Sequence, residues 1–228
     1  APDAGELESK IKEFAEKSYG AKITSKVTGE QIKRVREMQF LVPADLLAEG
    51  QTEKGIAEYL DVIGRYPETV DAVRGIEKVV GAYLDLIATE KDSPKQFDWR
   101  IDADAIEGYL GERFAGCEDR ELMTMAGDAV MRIAALEKQR GQLARSDRLY
   151  REFLMNYTNH VGAATIASSM ISQCIKEEKW NDALALCKVV QEYYRTSLYY
   201  AASFSQASYC YGKIGDKQNA VLSMKRYV

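Results

Sequence analysis

From Gly141 to His160 the chain reads GQLARSDRLYREFLMNYTNH, and from Glu178 to Ser197 it reads EKWNDALALCKVVQEYYRTS. A third segment, GDKQNAVLSMKRYV, begins at Gly215, so the three starts are 37 residues apart. A fourth, GQTEKGIAEYLDVIGRYPET, begins at Gly50 and falls in the same register. Five residues after each start the side chain is small: Gly55, Ser146, Ala183 and Ala220. Nine after it stand Tyr59, Tyr150, Cys187 and Met224, and sixteen after it Tyr66, Tyr157 and Tyr194. A fixed period over several copies marks stacked units, each unable to bury its apolar face alone.

Leu, Ala, Glu, Lys, Tyr and Met recur at three- and four-residue intervals, which is the helical period. Prolines number four, and alternating runs flanked by hairpin turns are missing. The reading is all-α. Each copy is a helical hairpin whose second helix starts with a small residue and closes on RYPET, NYTNH or YYRTS, where Thr, Asn and Ser can cap the next helix. The first helices carry a large–small–large stripe, seen in Phe204, Ala207, Ser208 and Tyr211.

These hairpins resemble tetratricopeptide repeats. Phe204, Ser208 and Tyr211 match the aromatic, small and Tyr positions of that family's first helix, Ala220 its small residue on the second, and Pro67 its closing proline. Thr158 and Arg195 stand where later copies would have that proline, and the period is 37 residues rather than about 34. The YPET and YYRTS closures are similar to the bacterial envelope subgroup, which includes outer-membrane assembly lipoproteins and Tol–Pal accessory proteins. The resemblance implies a right-handed superhelix of antiparallel hairpins, an α-solenoid of about five helix pairs with the last incomplete.

The organisation expected is threefold. Residues 1–48 hold N-terminal helices, with ELESKIKEFAEKSYG as an amphipathic cap and a second helix broken or kinked at Pro43. Residues 49–140 hold degenerate repeats. Gly50 and Gly141 are 91 residues apart, 17 more than two repeats, and the excess is assigned to an irregular insertion near 89–101, around Ser93-Pro94 and Trp99. Residues 141–228 hold regular repeats ending at MKRYV, inside a helix that its siblings continue. That ending reads as a fragment or as a short last helix. The start, APDAG, fits a mature or trimmed chain.

Composition narrows the function. The chain has 228 residues with 31 Lys and Arg against 35 Asp and Glu, a formal net charge of −4. Mild acidity without a basic block gives no electrostatic reason to approach nucleic acid, and no apolar run approaches the ~20 residues of a membrane span. The six tyrosines between 193 and 216 could stack on bases, but such platforms come with cationic grooves. Arg195 and Lys213 alone do not make one. Tyr194 and Tyr211 are assigned to the core, since a ring can be buried while its hydroxyl reaches the wet edge; Tyr193, Tyr199, Tyr200 and Tyr209 repeat less well and are assigned partial exposure.

Chemistry is not indicated. The single histidine, His160, sits at an expected turn and reads as a solvated or capping residue, and one histidine excludes H-E-x-x-H. Cys117, Cys174, Cys187 and Cys210 form no C-x-x-C and read as apolar filler. Glu177-Glu178 and Asp102-Asp104 fall at helix starts and turns, where negative charge favours the dipole. No catalytic residue, metal site or cofactor is expected.

A stacked array leaves the inner face of its first helices free for a partner. On this register that face presents Arg74, Glu77, Asp128, Met131, Lys138, Thr165, Ser168, Ser172, Ser205 and Tyr209. A shallow groove of this kind suits an extended peptide or a helix. The expected function is a non-enzymatic protein-binding scaffold, which the resemblance would place in bacterial envelope assembly. The alternative is an accessory helical domain of a larger enzyme, such as a cell-wall lytic enzyme. Self-association through the last hairpin is a third possibility. The resemblance points to the periplasm or envelope, whereas free cysteines fit the cytoplasm equally well.

Overall fold

The computed structural model describes residues 9–13 and 21–227, with side chains from Thr28 onward in the first long helix. Among these residues all regular structure is helical. A short helical segment spans 9–13; the rest of the expected N-terminal cap lies outside the described residues. Ten helices follow. They are α1 (Ala21–Ala48), α2 (Thr52–Arg65), α3 (Val70–Thr89), α4 (Gln96–Phe114) and α5 (Arg120–Gln139), then α6 (Leu143–Asn156), α7 (Ala163–Lys176), α8 (Trp180–Tyr193), α9 (Tyr199–Lys213) and α10 (Lys217–Tyr227). They form two compact units, one running to Gly141 and the other from Gln142.

The repeat is written in the backbone. Gly50, Gly141 and Gly215 have φ of 77°, 78° and 85°, and Glu178 has 59°; among the described residues these are the positive-φ positions. They are also the four starts of the sequence register. At three of them a Schellman motif closes the preceding helix. Gly50, Glu178 and Gly215 donate to Leu47, Ile175 and Gly212, and the next amides reach back to Leu46, Cys174 and Tyr211. Gln51, Gln142 and Lys179, the residues after the first three starts, have nearly one conformation: φ/ψ of −83°/57°, −82°/60° and −83°/65°. The helices that follow, α2, α6 and α8, are each 14 residues long and end on Tyr66, Tyr157 and Tyr194 in a shared bridge-like geometry.

Two expectations are corrected. The irregular insertion near 89–101 is only the turn 90–95, because α4 begins at Gln96 and carries Trp99 buried in its first turn. Gln96 Nε2 donates to the Ile87 and Glu90 carbonyls and ties the turn to the end of α3. The 17 extra residues lie in the helices: α3, α4 and α5 have 20, 19 and 20 residues, where α6 and α7 have 14. Of the break or kink expected at Pro43, the break is absent, since α1 runs through Pro43 to Ala48. Proline removes one backbone hydrogen bond, and the helix continues past this buried ring.

In the first unit, paired contacts give the helix directions. Arg65 meets Gln39 at 2.7 Å, while Gly55 faces Leu47, so α1 and α2 run antiparallel. Tyr83 reaches Asp102 and Gln96 reaches Ile87, so α3 and α4 do likewise. Alternate helices are parallel. Arg36–Asp71 and Phe40–Gly75 link α1 and α3 with one offset; Glu77–Arg132 and Asp85–Arg140 link α3 and α5 with another. The core of this unit is dominated by α3, whose Val73, Ile76, Val79, Val80 and Leu84 are all but fully buried. Glu137 is buried as well, held by Arg100 of α4 at 2.7 Å.

In the second unit the small positions do what the register demands. Ser146 and Ala183 are buried, and the Ser208 hydroxyl of α9 donates to the Ala220 carbonyl of α10 at 2.8 Å, where these helices approach closely. Tyr194 is buried and donates to the Leu154 carbonyl at 3.2 Å. Tyr211 departs from the core role assigned to it: it is half-buried, on the wall of a cleft between α8, α9 and α10. Cys174, Cys187 and Cys210 are free, buried thiols.

Candidate partner-binding surface

The ten residues assigned to the inner face lie on first helices, α3 and α5 in the first unit and α7 and α9 in the second, and all are exposed or half-buried. In the first unit the structure brings Glu77 and Asp128 together around a residue that sequence reasoning missed. Arg132 Nε and Nη2 donate to Glu77 Oε1 and Oε2 at 2.7 and 2.8 Å. That fork and the nearby Asp128 charge, against some desolvation, raise the guanidinium above its ordinary range. Glu77 is therefore committed to joining α3 to α5. Arg74 remains exposed, with a loose 3.8 Å approach to Asp71. Met131 is half-buried and Lys138 exposed. A depression of about 300 Å³ runs beside Glu77, with Leu47, Gly81, Ala82 and Leu136 in its lining.

In the second unit, Ser172 spends its hydroxyl on the Ser168 carbonyl one turn back, at 3.0 Å. Thr165 is exposed and Ser205 half-buried. Tyr209, 51% exposed, is the most prominent apolar group among the ten. It packs edge-to-face against Trp180 at 5.9 Å, and the Lys213 ammonium lies 5.3 Å from its ring and 5.9 Å from that of Trp180. A cation over two rings is attracted by their quadrupoles, so the three side chains form one small platform. Trp180 carried no signal in the sequence, because only the register places the first residue of α8 beside the last turns of α9.

The other polar candidates serve structure. His160 is buried rather than solvated; its Nδ1 accepts from the Gly162 amide at 3.0 Å and its ring meets Phe153 edge-on at 5.2 Å, which is the capping role. Burial pushes the Cys187 thiol up to about 12 and raises Cys174 and Cys210, the reverse of a reactive cysteine. Among the described residues no group of three or more His, Cys, Asp or Glu side chains is placed to hold a metal ion, and no helix is long and apolar enough to cross a membrane.

No protein-family model and no curated protein matches the chain. Among solved structures it is similar to BtubC (BKLC) from P. vanneervenii, at 15% identity over 99% of this chain and 88% of that one. The TM-score is 0.37, a likeness that carries no argument about function.

Proposed function

We propose that this chain is a non-enzymatic protein-binding scaffold of tetratricopeptide type, a right-handed superhelix whose first helices receive a peptide or helix of a partner. The observation that carries the reading is the recurrence of a left-handed backbone residue at Gly50, Gly141, Glu178 and Gly215. The last three lie 37 residues apart, and hairpins repeated at a fixed spacing leave first helices exposing side chains that the core does not need. Tyr209 with Trp180 and Lys213 provides an aromatic anchor, and anchors of this kind dominate protein interfaces. The resemblance to the envelope subgroup makes an envelope-assembly protein the partner class we favour, and the periplasm or envelope its place of action.

The test is capture of the partner with the full chain, followed by affinity measurement with Tyr209→Ala, Met131→Ala and Arg74→Ala. Loss of about tenfold or more for Tyr209→Ala, with the fold intact, is the expected outcome. Unchanged affinity for all three variants would place binding elsewhere.

A further inference from the structure

The second unit contains a cleft of about 220 Å³ between α8, α9 and α10. Its floor is apolar and buried: Leu184, Phe204 and Ala207. Its rim carries two cations, Lys188 from α8 and Arg226 from α10, and its lining contains no carboxylate. Neither cation has an ion pair among the described residues.

The preceding copy shows what is different here. Ten residues after its start stands Arg151, held by Asp147 at 2.9 Å from its own helix and by Asp182 at 3.5 Å from the next second helix. Lys188 occupies the same register position one copy later. The positions of Asp147 and Asp182 are then filled by Leu184 and Asn219, so both carboxylates are gone while the positive charge stays and Arg226 adds a second. Asp216, three residues before Asn219, is engaged by the Asn219 amide groups at 3.0 and 2.7 Å, and Glu192, one turn beyond Lys188, is exposed and outside the lining. The wider charge agrees: from Gln142 onward there are 11 Lys and Arg against 7 Asp and Glu, in a chain that is acidic as a whole.

We infer that this cleft binds a carboxylate borne on a short apolar stem, the acid supplying the negative charge that Asp147 and Asp182 supply in the preceding copy and the stem lying on Leu184, Phe204 and Ala207. Charge-assisted hydrogen bonds to an ammonium and a guanidinium fix the carboxylate, and a small, largely apolar pocket with a few convergent polar groups is the usual form of such a site. The inference does not depend on the first-helix reading above.

Isovalerate, isovaleramide, inorganic phosphate and a short peptide ending in Leu are titrated against the full chain, followed by amide exchange in α8 and α10. Isovalerate or the peptide is expected to protect these helices, with the uncharged amide at least tenfold weaker. Tighter binding of the peptide identifies a partner's C-terminus as the source, and tighter binding of isovalerate a free small acid. Lys188→Gln and Arg226→Gln should each weaken the acid about tenfold. Asn219→Asp, which restores the carboxylate of the preceding copy, should weaken it similarly while the chain stays folded. Equal binding of acid and amide, equal binding of phosphate, no protection of α8 and α10, or indifference to all three variants would overturn the proposal.

Discussion

Replacing Glu178 with glycine should stabilise the protein. Among the described residues Glu178 is the non-glycine residue with positive φ, at 59°, in a position filled by glycine in the other three copies. An L-residue in the left-handed region costs about 1–2 kcal/mol. Glycine removes that strain but adds about 0.4–1 kcal/mol of unfolded-state entropy. The Glu178 side chain is exposed, and the motif itself uses its backbone, which donates to Ile175 and accepts from Trp180. The net expectation for Glu178→Gly is therefore a gain of about 0.5–1 kcal/mol. In a domain of this size that raises Tm by roughly 1–4 °C. Gly215→Ala, at φ 85°, should cost about the same amount. Urea unfolding of wild type and both variants measures this, with unchanged m-values as the condition for comparison. If Glu178→Gly is neutral or destabilising while Gly215→Ala costs nothing, the left-handed caps are not the element that the copies share.

Three further outcomes follow from packing and charge. Gly55→Ala would set a Cβ 2.7 Å from Leu47 Cδ2 and 3.1 Å from the Leu47 amide, and should cost about 1–2 kcal/mol in chemical denaturation, while Gly81→Ala, whose Cβ meets nothing within 4 Å, should gain about 0.5–1 kcal/mol. Arg100→Met leaves buried Glu137 without its 2.7 Å cation and should cost about 3 kcal/mol, with Glu137→Gln in the same background restoring part of the loss. Burial lifts Tyr83, Tyr194 and Cys187 to about 12. Because these folded values lie above the unfolded ones, the stability they contribute is complete below about pH 9 and is lost as pH rises through 12; phenolate absorbance during alkaline unfolding should appear with the loss of helix, and at pH 8 an alkylating reagent should reach half-exposed Cys117 before the three buried thiols.

The repeat was legible because it is carried by local chemistry. A glycine in a left-handed cap, a small residue five positions on and a tyrosine at the close all leave marks in one strand of sequence, and the structure places each where the register put it. The 17-residue excess misled because helix length leaves no such mark: longer α3, α4 and α5 keep the same periodicity as short ones, whereas Ser93-Pro94 is conspicuous. On the candidate surface the register found exposed positions but not their neighbours. The Arg132–Glu77 fork depends on a 55-residue offset between parallel helices, which the stretched copies hide. The Lys188 cleft leaves no mark in sequence, because its difference from the preceding copy lies in the two carboxylates that hold Arg151 across neighbouring helices.

Amide hydrogen exchange of the full chain, with and without its captured partner, tests the scaffold reading most directly. Binding should slow exchange in the exposed faces of the first helices, at Arg74–Glu77, Asp128–Lys138, Thr165–Ser172 and Ser205–Tyr209. Protection confined to the second helices α2, α6 and α8, with the first helices unchanged, would contradict it.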